Sequence, residues 1–174
     1  MASHTALVSI MCEDRPGLIA DVTGRLYDLG INLGDTTFAV LGSGAKLTLV
    51  AKLPADISIP DVEEELRSIA VLRGADIEVA PFAYRETHDP SARITHRIEI
   101  GGDDSPGLIA RLSEALRPMG ANIVELNSES TPGASARFLL RMAISVPKGK
   151  EAVCMATIAN TAGQMNLSCR WEQV

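Results

Sequence analysis

Asp14-Arg15-Pro16-Gly17-Leu18-Ile19-Ala20 returns 90 residues later as Asp104-Ser105-Pro106-Gly107-Leu108-Ile109-Ala110, and these two segments hold the residues best placed to do chemistry. A glycine at a helix entry leaves the backbone N–H groups there open to a ligand, and the positive end of the helix dipole favours a carboxylate or phosphate. Asp14 and Asp104, just before the turn, can cap the helix or accept hydrogen bonds from a ligand ammonium group. Proline suits the first turn of a helix, where the N–H it lacks would have no partner. One helix further on, at the start of the next strand, Asn32 and Asn122 each carry a donor and an acceptor. Together these groups can hold a zwitterion. A plainer reading stands beside this one, because Asp-x-Pro-Gly is also simply a good turn from strand into helix, and a duplicated fold duplicates its turns.

Catalytic chemistry finds no comparable set of residues. His4, His88 and His96 fall in a terminus, a linker and a strand without ligand spacing, so each is expected to be solvated or in the core. Cys12, Cys154 and Cys169 lack CxxC spacing and are odd in number, which points to neither a disulfide framework nor a zinc site. Cys12 reads as a small buried hydrophobe. There is no GxSxG elbow, P-loop or GxGxxG before a helix. The expectation is a non-enzymatic protein that uses no cofactor and no metal.

The elements that must position the repeated turns follow from periodicity. In the second copy Ile94, His96, Ile98 and Ile100 alternate with Thr95, Arg97 and Glu99, as in a strand with one buried face, and His4, Ala6, Val8 and Ile10 match them in the first. Helical spacing follows each Pro-Gly: Leu18, Ile19, Val22, Leu26 and Leu29, then Leu108, Ile109, Leu112, Leu116 and Met119. Gly30 and Gly120 sit where a helix C-terminal glycine belongs.

Two extended segments come next, about 31–41 and 46–53, joined at Gly42-Ser43-Gly44. Their counterparts, about 122–130 and 136–146, are joined by the longer Thr131-Pro132-Gly133-Ala134-Ser135. A second helix is expected near 60–73, with Val62, Leu66 and Ile69 inward, and another near 149–162. Closing strands fall near 76–82 and 166–173. Each copy therefore reads β-α-β-β-α-β, an α+β chain of two ferredoxin-like domains in tandem whose antiparallel sheets carry helices on one face. The domains are expected at 1–83 and 93–174, with 84–92 as linker. The uncovered sheet faces and edges are potential interfaces.

With 174 residues, the length accommodates two small domains of this kind. A net charge of -6, an aromatic content of 3% and Lys and Arg scattered singly along the chain argue against a phosphate-binding footprint. The cysteine pattern fits a reducing compartment, no apolar stretch approaches the ~20 residues of a bilayer span, and the cytoplasm is expected.

The two openings, DRPGLIADVTGRLYDLGINL and DSPGLIARLSEALRPMGANI, resemble those of ACT domains, small amino-acid-sensing regulatory modules of this βαββαβ fold. A chain made of two such domains and little else is similar to the glycine cleavage system transcriptional repressor group. The resemblance implies a small amino acid effector, glycine or serine foremost, bound at domain interfaces by Asp14, Arg15, Pro16, Gly17, Leu18, Ile19 and Asn32, and by Asp104, Ser105, Pro106, Gly107, Leu108, Ile109 and Asn122. Ser105 stands where the first copy has Arg15, so the two sites are expected to differ. The function expected is control of a transcriptional regulator or enzyme through protein contacts, by a homodimer that touches neither nucleic acid nor membrane. The competing reading is a dimerisation scaffold whose domains no longer bind an effector. On the charge argument, the purified protein alone should not retain duplex DNA in a low-salt gel-shift assay, and salt-sensitive, sequence-selective retention would contradict it.

Overall fold

Burial alternates along the first strand, β1 (His4–Glu13), where Ala6, Val8 and Ile10 are buried and their neighbours are not. The computed structural model describes residues 4–103, 106–131 and 137–174. After β1 come α1 (Leu18–Asp28), β2 (Asn32–Leu41), β3 (Gly44–Leu53), α2 (Ile59–Ser68) and β4 (Asp76–Pro81). The second half repeats the order with β5 (His96–Asp103), α3 (Leu108–Leu116), β6 (Asn122–Thr131), β7 (Arg137–Ser145), α4 (Glu151–Gln164) and β8 (Ser168–Gln173). The chain divides into two compact units between Tyr84 and Arg85. Pro90–Ala92, inside the stretch expected as linker, forms a single 3-10 turn.

Each unit is one four-stranded antiparallel sheet, in the orders β2-β3-β1-β4 and β6-β7-β5-β8. This is the ferredoxin-like arrangement in both halves. β1 lies between β3 and β4, with Val8 opposite Leu49 on one side and Val79 on the other. β5 is held in the same way, with Ile100 opposite Leu140 and Cys169. Both edge strands β2 and β6 carry a register shift near their start, at Leu33/Thr36 and Ile123/Glu125. A bulge of this kind bends an edge strand and limits its pairing with other chains.

Helix burial follows the i, i+4, i+8 stripe. Leu18, Val22 and Leu26 of α1 and Leu108, Leu112 and Leu116 of α3 are buried against the sheet. α2 adds Val62 and Leu66, with Ile69 just beyond its end, and α4 adds Cys154, Met155, Ile158 and Ala162. Ile19 and Ile109, expected inward, are instead 42% and 37% exposed. Each lies one residue past a stripe leucine, about 100° round the helix, and so projects beside the core. The strand expected from Ile94 begins at His96, and Ile94 is half-buried. His96 is buried, with Nδ1 2.9 Å from the Thr95 hydroxyl. Thr131 is the last residue of β6, and Pro132-Gly133-Ala134-Ser135 lie outside the described residues.

The second helices start differently. At α2 the Ser58 hydroxyl accepts from the Asp61 N–H at 3.3 Å while the Ser58 N–H donates to the Asp61 carboxylate at 2.8 Å, a complete capping box. At α4 the preceding residue is Lys150 and no side chain caps. The hydrogen bonds from Ser58 hold the Asp61 carboxyl below the usual carboxylate range. A carboxyl whose pKa is lowered by folding contributes stability that is complete above its unfolded pKa and is lost as pH falls through its folded pKa. Ser58→Ala should therefore cost about 1 kcal/mol at neutral pH, and the deficit should shrink on acidification. Urea unfolding at neutral and acid pH checks both parts.

Candidate ligand site

The repeated turn is built by proline and glycine together, ahead of the helix. α1 begins at Leu18, so Pro16 does not occupy its first turn as the sequence suggested. The Leu18 N–H instead donates to the Arg15 carbonyl at 3.4 Å, and Gly17 adopts φ 90°, ψ -13°. These are the dihedrals of the third residue of a type II turn, in which proline favours the second position and glycine the third. Gly107 repeats the conformation with φ 87°, ψ 3°. The glycine is needed for that backbone conformation, since a Cβ at either position would meet nothing within 4 Å.

That same geometry leaves the helix entry open. No side chain caps α1 or α3, so Asp14 does not serve as a cap, while Asp104 and Ser105 lie outside the described residues. The first intrahelical bonds of the two helices are Asp21 N–H to the Gly17 carbonyl and Arg111 N–H to the Gly107 carbonyl, at 2.9 and 3.0 Å. The amides of Ile19 and Ala20 precede the first of these and have no intrahelical acceptor. Asp14 through Ala20, together with Phe38 from β2, line an open cleft of about 410 Å³. Arg15 is paired with Glu13 at 3.0 Å, on the exposed side of the turn. In the second unit Pro106, Gly107 and Ile109 are exposed and Leu108 is buried, as at the equivalent positions of the first. Ser128 replaces Phe38 there.

Asn32 and Asn122 are not part of this arrangement. Asn32 lies opposite Lys52, which in turn lies opposite Thr5, whereas Asp14 is nine residues further along the β1 direction. At the rise of a β-strand this is roughly 30 Å, far beyond the reach of one small zwitterion. The Asn122 side-chain N–H donates to the Ser91 carbonyl at 2.9 Å, so this amide ties the segment before β5 to the start of β6. Within one unit, the turn and the asparagine occupy opposite ends of the sheet.

The fold also gathers charges that look scattered in sequence. On the outer face of the second sheet, Arg97, Arg137, Arg141 and Arg170 come together through strand register. Glu99 accepts from Arg170 and, at 3.3 Å, from Arg141, and these hydrogen bonds hold its carboxyl below the usual range. Arg141 also pairs with Glu129 at 3.0 Å and Arg97 with Glu125 at 3.3 Å. Arg137 and Arg141, four residues apart and so on one face of β7, were the available sequence signal, but only the pairing register brings Arg97 and Arg170 to the same face. Burial pushes the thiols of Cys12, Cys154 and Cys169 upward, which keeps them protonated and unreactive. Among the described residues no cluster of three or more His, Cys, Asp or Glu is placed to hold a metal ion, and no helix is long and apolar enough to cross a membrane.

Comparison with known proteins places these features in a family. The ACT domain model matches residues 6–71, nearly all of the first unit. The glycine cleavage system transcriptional repressor of Escherichia coli is 26% identical over 138 residues, spanning 78% of this chain and 70% of its own. A UPF0237 protein of Methanopyrus kandleri is 30% identical over 94 residues, which cover 97% of it and 53% of this chain. Among solved structures, a protein of unknown role from Galdieria sulphuraria superimposes with a TM-score of 0.75 at 21% identity over 99% of both chains. Another, provisionally assigned as a glycine cleavage system transcriptional repressor, gives 0.69 at 14% identity over 100% of this chain and 99% of its own. At these identities the two structures establish the fold.

The two glycines of the first helix region should respond oppositely to alanine. Gly17→Ala forces a side chain into the left-handed region and should cost about 1–2 kcal/mol. Gly24, inside α1 with nothing within 4 Å of an added Cβ, should gain about 0.5–1 kcal/mol. Denaturant midpoints of the two variants test the assignment.

Proposed function

We propose that this chain, whose first unit matches the ACT domain model over residues 6–71, is a regulatory, non-enzymatic protein whose turn clefts bind a small amino acid. The observation that carries this reading is the uncapped entry of α1, where free amides and the positive helix end face an open cleft of about 410 Å³. An effector carboxylate docks on the amides of Ile19 and Ala20, with Arg15 adding positive charge and Phe38 bounding the apolar side. Asp14 accepts from the effector ammonium. At the second turn, Pro106, Gly107, Leu108 and Ile109, the sequence has Asp104 for Asp14 but Ser105 in place of Arg15 and Ser128 in place of Phe38, so this turn lacks the charge and the ring and binds more weakly. Asn32 and Asn122 belong to the opposite end of each unit and do not touch this effector within it. Glycine and serine are the first effectors to try, in view of the repressor named among the relatives. The response reaches a transcriptional regulator or an enzyme through protein contacts, in the cytoplasm and as a homodimer, without direct contact with nucleic acid.

A scaffold reading draws on a different feature, the apolar end of the β2-β3 hairpin. Val40 and Leu41 are 51% and 57% exposed on an edge strand that ends beside the turn, where the Asp14 N–H donates to the Ser43 carbonyl at 3.0 Å. Calorimetric titration separates the two readings. The effector reading expects saturable heat with glycine or serine; at a ceiling of about 1.5 kcal/mol per heavy atom, glycine with five binds no tighter than about 3 μM and serine with seven no tighter than about 20 nM. Arg15→Ala should weaken it several-fold, and Asn32→Ala should leave it unchanged. No heat with any of the twenty amino acids, together with loss of self-association on Leu41→Ser, would favour the scaffold.

A further inference from the structure

The charged rows on the outer face of the second sheet enclose a recess that none of Pro106, Gly107, Leu108 and Ile109 lines. Strand register builds it. Gly101, in the middle of the central strand β5, lies opposite Leu139 on β7 and Ser168 on β8, and Leu139 lies opposite Glu129 on β6. Without a side chain at Gly101 the sheet surface drops to a hollow of about 430 Å³. Its rim carries two carboxylates, Glu99 and Glu129, and two guanidinium groups, Arg137 and Arg170. Glu99 is engaged by Arg170 and Arg141, while Glu129, held by Arg141 at 3.0 Å, remains 71% exposed. Arg137 forms no ion pair among the described residues. Its backbone is fixed instead, because the Thr131 hydroxyl donates to the Arg137 carbonyl at 3.1 Å.

The fold itself does not require this recess. At the same places of the first sheet Met11 stands for Gly101, Ser9 for Glu99, Lys46 for Leu139 and Glu78 for Arg170. Two sheets with one topology thus differ at the positions that make the hollow and its rim. Exposed ion pairs contribute little to stability, so fold stability gives no reason for charges of both signs to ring a cavity.

We infer that the recess is a ligand site separate from the turn clefts, and that it takes a small zwitterion carrying one carboxylate and one ammonium group. The ligand carboxylate sits on the unpaired Arg137 guanidinium, whose planar fork suits it. The ammonium sits on Glu129, the diagonal cross-strand neighbour of Arg137, at a spacing of ~7–8 Å that admits two charged groups one carbon apart. Charge selects the class. A simple anion would meet Arg137 but face Glu99 and Glu129, and a simple cation would meet Glu129 but face Arg137 and Arg170. A molecule bearing both charges satisfies both sides at once.

The test is an NMR titration of the ¹⁵N-labelled full chain with glycine, L-serine, sodium acetate and methylammonium chloride at constant ionic strength. Glycine or serine should shift the amides of Gly101 and Leu139 saturably, and acetate and methylammonium should not. Arg137→Gln and Glu129→Gln should each weaken that response about tenfold while leaving shifts at Gly17 and Ile19 as they are. Gly101→Ala, whose Cβ would lie an ordinary 3.5 Å from Leu139 Cδ1, should weaken it too with the rest of the spectrum unchanged. The inference is overturned if zwitterion-dependent shifts are confined to the residues around Gly17 and Gly107, if acetate alone reproduces those at Gly101, or if Arg137→Gln binds as tightly as the parent. Shifts at Gly101 with none at Gly17 would uphold this site and refute the turn cleft, so the two readings fail separately.

Discussion

Both units depend on a central strand held between two antiparallel partners with one face pressed against helices. Once β1 is fixed between β3 and β4, every second residue must be apolar, which is why Ala6, Val8 and Ile10 face Ala51, Leu49 and Leu47 across one ladder and Pro81, Val79 and Ile77 across the other. The helix that follows must then return along the strand it has just left. α1 begins at the C-terminal end of β1 and delivers the chain to the opposite end, where β2 starts at Asn32. The separation of the Pro-Gly turn from the asparagine follows directly, and no side-chain rotamer can close it.

The same constraint explains what the sequence could reveal. Period two in β1 and β5, helical spacing after each Pro-Gly, and glycine at φ 70° and 69°, Gly30 just past α1 and Gly120 at the end of the 3-10 turn Arg117–Met119 that follows α3, are local signals, and they were legible because the fold imposes them residue by residue. Ile19 and Ile109 misled because an apolar residue adjacent to the buried stripe looks inward in a list of spacings. Pro16 misled in a different way: proline belongs equally to a helix start and to the second position of a type II turn, and the Leu18-to-Arg15 hydrogen bond decides for the turn. The asparagines were grouped with the turn because sequence distance does not reveal which end of a strand a residue occupies.

Non-local register was the information out of reach. Arg97, Arg137, Arg141 and Arg170 stand up to 73 positions apart in the chain, yet three ladders place them on one sheet face beside Glu99, Glu125 and Glu129. Reading the charges as scattered was true of the chain and untrue of the surface. The expectation drawn from it has a second argument in the structure, since three of these four arginines are already engaged by a carboxylate of the same face. A phosphate backbone approaching there would have to displace those carboxylates and meet their charge.

Duplication makes the contrast between the two units informative. The helix-facing sides carry interchangeable aliphatic cores, and the turn at Gly17 is reproduced at Gly107 within a few degrees of φ. The outer faces have parted: Leu7, Val50 and Ala80 form one row of the first sheet where Arg97, Ala143 and Glu172 form the matching row of the second. Core packing constrains the inner face of such a sheet to volume and apolarity, whereas the outer face is held only to solubility and to whatever it meets. A difference on the outer faces is therefore a difference in what the two units meet. Even if their turn clefts take the same effector, the two domains are not equivalent copies.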